Sequence, residues 1–74
     1  MSDTTDTIMR LAETVKRNPA RRGVLSTGEF LAVAMVLNKP QWLKDANYSM
    51  LEAIDRLGPD WTQAAINVQK AMDL

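Results

Sequence analysis

The chain has 74 residues, its nine Lys and Arg balance nine Asp and Glu, and it contains no Cys and no His. That length accommodates one domain with a small core, and oligomerisation or a partner is a common further source of stability. Lacking Cys and His, it has no disulfide framework, no thiolate or imidazole metal set and no histidine base, and its zero net charge is not the basic excess of a dedicated nucleic-acid binder.

The N-terminal MSDTTDTIM is acidic and hydroxyl-rich, unlike a basic targeting leader. The longest apolar run, FLAVAMVL at residues 30–37, falls far short of the roughly 20 residues that span a bilayer. The expectation is a soluble cytoplasmic protein with no membrane partner, folded as a single helical domain over residues 1–74.

A first helix is predicted to start near Thr4 or Thr5, where Asp3 and Asp6 suit the positive end of the helix dipole. Ile8, Leu11, Ala12 and Val15 recur at helical spacing and form its apolar stripe. Lys16 and Arg17 close the last turn, and Asn18-Pro19 ends it, because a residue before proline is driven out of the α region. The stretch KRNPARRG, residues 16–23, holds four of the nine basic residues. Lys16 and Arg17 have an ordinary role as C-terminal helix charges. Arg21 and Arg22 lie in the connection that Gly23 ends.

Ser26-Thr27-Gly28-Glu29 fits a capping box, with Val24 or Leu25 as the hydrophobic staple. The run at 30–37 is apolar all round, which suits a central helix covered on most sides. A buried strand is the competing reading, and the capping box, the two alanines and Met35 favour helix. Asn38-Lys39-Pro40 breaks the chain, and Pro40 opens a short helix to about Ala46 with Trp42 and Leu43 inward. Asn47-Tyr48 turn, and Ser49-Met50-Leu51-Glu52 is a second capping box. Its helix is predicted to turn Met50, Ala53, Ile54 and Leu57 inward and Glu52, Asp55 and Arg56 outward. Gly58 stops it. Pro59 starts a last helix to about Met72, with Trp61, Ala64, Ala65, Val68 and Met72 inward and Ile66 exposed. PQWL at Pro40 and PDWT at Pro59 read as one local solution used twice, not as a repeat.

No catalytic constellation emerges, and no enzyme activity, cofactor or metal is expected. Asp45, Glu52, Asp55 and Asp60 do not have the alternating spacing of a calcium loop. Glu52 and Asp55 at i, i+3 read as a solvated face. The three glycines are scattered, so no phosphate loop is present. Ser26 and Ser49 serve as caps.

Charge is unevenly placed. Residues 1–24 carry Arg10, Lys16, Arg17, Arg21 and Arg22 against Asp3, Asp6 and Glu13, whereas residues 45–74 set Arg56 and Lys70 against five acids. Such a dipole can steer association, and it can equally be chance in a short chain. The candidate partner-binding residues are Arg10, Arg17, Arg21, Arg22 and Ile66. Arginine pairs bidentately with carboxylates and phosphates, so a cluster without nearby acids points to docking. The competing reading is internal pairing with the acidic C-terminal half. Met9, Met35 and Leu74 are further apolar side chains off the stripes or at an end, and methionines adapt well at binding surfaces.

The expected fold is all-α: a small compact bundle of four to five short helices around a central apolar helix, with Trp42, Ile54, Trp61 and Val68 packed on that helix. The expected function is a non-catalytic protein-interaction module of the accessory, adaptor or inhibitor type, such as bacteria or their phages encode. Its partner is a protein, and a homodimer is one form of that. The alternative is a nucleic-acid regulator of helix-turn-helix type using the same arginines, with residues 40–46 as the reading helix. That helix offers only Gln41, Lys44 and Asn47 outward, with Asp45 facing phosphate, which is a poor set for base readout.

Overall fold

Helix α1 spans Asp3–Arg17, α2 Thr27–Val36, α3 Pro40–Asp45 and α4 Met50–Met72, with a 3₁₀ helix at Pro19–Val24 between the first two. The structure is a computed structural model describing residues 3–72, and those residues form no strand. The all-α bundle follows directly from the sequence pattern.

In α1, Thr5, Ile8, Ala12 and Val15 make one buried stripe against α2 and α4. Leu11 flanks it, half-buried. Asp3 and Asp6 occupy the first turn and Lys16 and Arg17 the last, each at the end of the dipole that favours its charge. Asn18 leaves the helix in extended geometry, φ −141° and ψ 91°, as a residue before proline must. The expected open connection is instead a six-residue 3₁₀ helix, longer than such helices usually run. Arg21 N–H donates to Asn18 O at 3.0 Å and Leu25 N–H to Arg22 O at 3.3 Å.

Both capping boxes form. Ser26 Oγ accepts from Glu29 N–H at 3.3 Å, while Ser26 N–H donates to Glu29 Oε1 at 2.9 Å. Ser49 and Glu52 repeat the exchange at 3.1 and 3.0 Å. Ser49 thereby holds the Glu52 carboxyl below its ordinary range, first through its backbone N–H and then through its side chain. Leu25, not Val24, occupies the staple position of α2. It lines one cleft together with Phe30, whereas Val24 is exposed. Tyr48 does the same for α4, packing with Ala53 in one cluster.

Helices α2 and α3 end alike. Asn38 (φ 56°) and Asn47 (φ 64°) adopt the left-handed conformation that asparagine tolerates. Asn38 N–H donates to Met35 O and Lys39 N–H to Ala34 O; Asn47 N–H donates to Lys44 O and Tyr48 N–H to Leu43 O. These paired bonds are the Schellman pattern, which satisfies carbonyls that a helix end leaves free.

In α2, Leu31, Ala32, Val33, Ala34 and Val36 are all buried, so the run at 30–37 is the central helix. Along α4 the helix is interrupted at Gly58, whose φ 79° and ψ 170° are non-helical and kink the chain just before Pro59. The predicted pair of helices is thus present as two arms of α4: Gly58 ends the first and Pro59 opens the second. The bend lets α4 serve two clusters. Ala53 joins Leu31, Ala34 and Leu43, flanked by Phe30, Met35, Trp42 and Tyr48. Ala64, Ala65 and Val68 join Ile8, Ala12, Ala32 and Val36, flanked by Met9, Trp61 and Met72. Leu57, beside the kink, packs on both.

Some side chains depart from expectation. Met50 is exposed, not inward, because it is the first residue of α4 and precedes the turn whose Ala53 faces the core. Ile54 is only half-buried and lines a groove at the kink with Asp55, Gly58, Pro59, Thr62 and Gln63. Met9 and Met35 pack against the clusters and so belong to the interior. Leu74 lies outside the described residues.

Candidate partner-binding surface

The four candidate arginines divide into two kinds. Arg22 is partly buried and held at both ends of its reach. Its Nη1 donates to Pro19 O at 2.8 Å, and its Cζ lies 4.8 Å from the centroid of the Trp42 ring. A cation–π contact of this kind contributes about 0.5–1 kcal/mol at a partly exposed site. It ties the 3₁₀ helix to α3. Trp42 is in turn stacked with Phe30 of α2, centroids 6.4 Å apart and planes at 25°. Arg22 is thus part of the fold as well as of the surface.

Arg10, Arg17 and Arg21 are exposed. Arg10 and Arg17 stand two helical turns apart on the side of α1 away from its buried stripe. Arg17 Nε makes a long bond to Glu13 O, 3.4 Å, within its own helix. Among the described residues, none of the four arginines forms an ion pair with a carboxylate. The competing reading, pairing with the acidic C-terminal half, is not what this arrangement adopts.

Ile66 belongs to a different place. It lines a small cleft of about 70 Å³ with Met35, Val36, Thr62, Ala65 and Gln69. Gln69 Nε2 donates to Met35 O and Val36 O, both at 3.2 Å, and so caps the C-terminal carbonyls of α2 from α4. Thr62 Oγ1 is buried there without a hydrogen-bond partner. Among the described residues, the exposed large apolar side chains are Val24 (73%), Leu51 (78%), Met50 (45%) and Ile66 (42%). Only Ile66 was singled out from the sequence. Leu51 sits at the second position of α4, where spacing alone did not assign it a side.

Comparison of the chain with protein-family models, with curated proteins and with solved structures finds no match. The surface must speak through its chemistry.

One group escaped sequence reasoning. Lys16 of α1, Lys39 at the N-cap of α3 and Trp42 of α3 line a single cleft of about 320 Å³ with Val15, Pro19 and Leu37. Lys16 read as a helix-end charge and Lys39 as part of a break. No linear signal joins them, since only the packing of α1 on α2 does so. The opposite pattern holds elsewhere: the grooves along α4 present Asp55 and Asp60 with Thr and amide side chains. Among the described residues, no group of three or more Asp or Glu could hold a metal ion, and no helix is long and apolar enough to cross a membrane. The predicted reading helix of the helix-turn-helix alternative is α3, six residues and about 9 Å long, with Gln41, Lys44 and Asp45 exposed.

Proposed function

We propose that this chain is a non-catalytic protein-interaction module that engages a protein partner through its 3₁₀ segment and the adjoining end of α1. The observation that carries this reading is the exposure of Arg17 and Arg21 without carboxylate partners among the described residues. Arg17 at the end of α1 and Arg21 in the short, proline-led 3₁₀ helix lose less freedom on docking than arginines on an open loop. Exposed Val24 in the same segment adds apolar area beside them. Arg22, engaged with Trp42, acts as the brace for this edge.

The test is capture from a nuclease-treated lysate of the source cells, with the wild-type chain beside an Arg17/Arg21→Glu variant. Arg22 is left intact so that the fold is not disturbed. The expected result is a stoichiometric protein retained by the wild type and lost by the variant. If instead no protein is retained, and nucleic acid is recovered once nuclease is omitted, the reading is wrong and the nucleic-acid alternative takes its place. Salt adds an independent check, because a phosphate-driven complex weakens steeply as salt rises.

A further inference from the structure

The cleft lined by Val15, Lys16, Pro19, Leu37, Lys39 and Trp42 has an apolar floor, two ammonium groups and no carboxylate. Trp42 also touches Arg22, and Arg22 lines the next cleft with Leu25, Phe30 and Tyr48. Three cations, from α1, the 3₁₀ helix and the α2–α3 connection, therefore gather around the cleft and its aromatic side chain. Lys16 and Lys39 are exposed and unpaired among the described residues.

We infer that this cleft receives an acidic segment of a protein partner, an apolar side chain on the floor flanked by carboxylates that meet Lys16, Lys39 and Arg22. The inference rests on the protein-interaction reading and adds the chemistry of the partner. Charge complementarity selects the sign: like-charged segments are repelled by all three cations, and no acid of this chain lines the cleft to receive them. The floor selects against nucleic acid. A phosphate backbone needs a row of cations along a groove, whereas Pro19, Leu37 and Trp42 offer apolar surface that rewards a leucine or phenylalanine. The floor is also firm. Val15 is fully buried in α1, and Leu37 packs against the first cluster. A preformed cleft of this kind binds without first being ordered.

The experiment uses the full chain labelled with nitrogen-15 and titrated with the synthetic peptide DELFDE, with the charge-swapped KKLFKK and with a short oligothymidine. The two indole N–H signals are assigned with Trp61→Phe. Saturable shifts with DELFDE at the Trp42 indole and at the amides of Lys16, Leu37 and Lys39 are expected. KKLFKK should give none, and Lys16→Glu/Lys39→Glu should weaken DELFDE about tenfold. Both substitutions are at exposed positions, so the variant should keep the wild-type spectrum elsewhere. No saturation by about 1 mM DELFDE, shifts that map elsewhere, or oligothymidine filling the cleft in place of the peptide each overturn the inference. The broader reading fails separately. Capture lost in Arg17/Arg21→Glu with DELFDE silent leaves the interaction module standing and removes this cleft from it. Oligothymidine bound with no protein captured removes both.

Discussion

The two hydrophobic clusters of this protein are built differently. The first joins α1, α2 and the second arm of α4 through small and aliphatic side chains: Ile8, Ala12, Ala32, Val36, Ala64, Ala65 and Val68, all buried. Alanines on facing helices let the backbones approach, so the cluster closes on itself. The second has four buried members, and its bulk comes from Phe30, Trp42 and Tyr48, which remain partly in solvent. Aromatic rings reach far but leave faces and edges uncovered when few elements surround them. The closed cluster joins three helices, and the open one leaves its aromatic rings partly in solvent beside Arg22.

Breaking the closed cluster should have the largest effect. Ile8→Ala removes a fully buried side chain where three helices meet, and it should cost about 3 kcal/mol by denaturant titration. That is a large share of the roughly 4–11 kcal/mol expected for a chain of this size. A cost below about 1 kcal/mol would show that stability does not reside there.

The joint between the clusters comes next. Gly58 adopts backbone angles that residues with a Cβ rarely reach, while nothing lies within 4 Å of an added Cβ. Gly58→Ala should therefore cost about 2 kcal/mol through backbone strain alone. An unchanged midpoint would mean that α4 can straighten and that the two-arm description is wrong.

Smaller effects sharpen the picture at the open end. Ser49→Ala removes the cap that starts α4 beside Tyr48 and should cost about 1 kcal/mol. It also carries a pH signature. The Glu52 carboxyl titrates lower in the folded chain than its ordinary value of 4.5. The stability this adds is present above that value and is lost as pH falls through the lower folded value. Comparison of acid unfolding should show that part of the slope in the wild type and its loss in Glu52→Gln, whose amide does not titrate. An identical slope would remove the Glu52 carboxyl as its source.

The smallest expected change is a gain. Gly28 lies in the first turn of α2 with open space around it and no left-handed backbone. Gly28→Ala should stabilise by about 0.5 kcal/mol, seen as a small rise in Tm. The opposite signs at Gly28 and Gly58 separate a glycine of convenience from one that the bend requires.

The features legible in the linear chain are local ones. Ser26-Thr27-Gly28-Glu29 and Ser49-Met50-Leu51-Glu52 carry their own hydrogen-bond partners three residues away, so both helix starts were legible. Asn18-Pro19 and Gly58-Pro59 marked a helix end and a joint because backbone sterics act between neighbours. The stripe of α1 followed from periodicity, and the central place of α2 from its unbroken apolar run at residues 30–37. Tertiary structure alone decided the rest. Met50 and Leu51 face out, and Met9 and Met35 pack inward, because a helix's rotation about its axis is set by what it packs on. The contact of Arg22 with Trp42, the bond of Gln69 to the end of α2 and the meeting of Lys16 with Lys39 join residues far apart in the chain. No spacing rule links such pairs; they are neighbours only once α1, α2 and the bent α4 share a core.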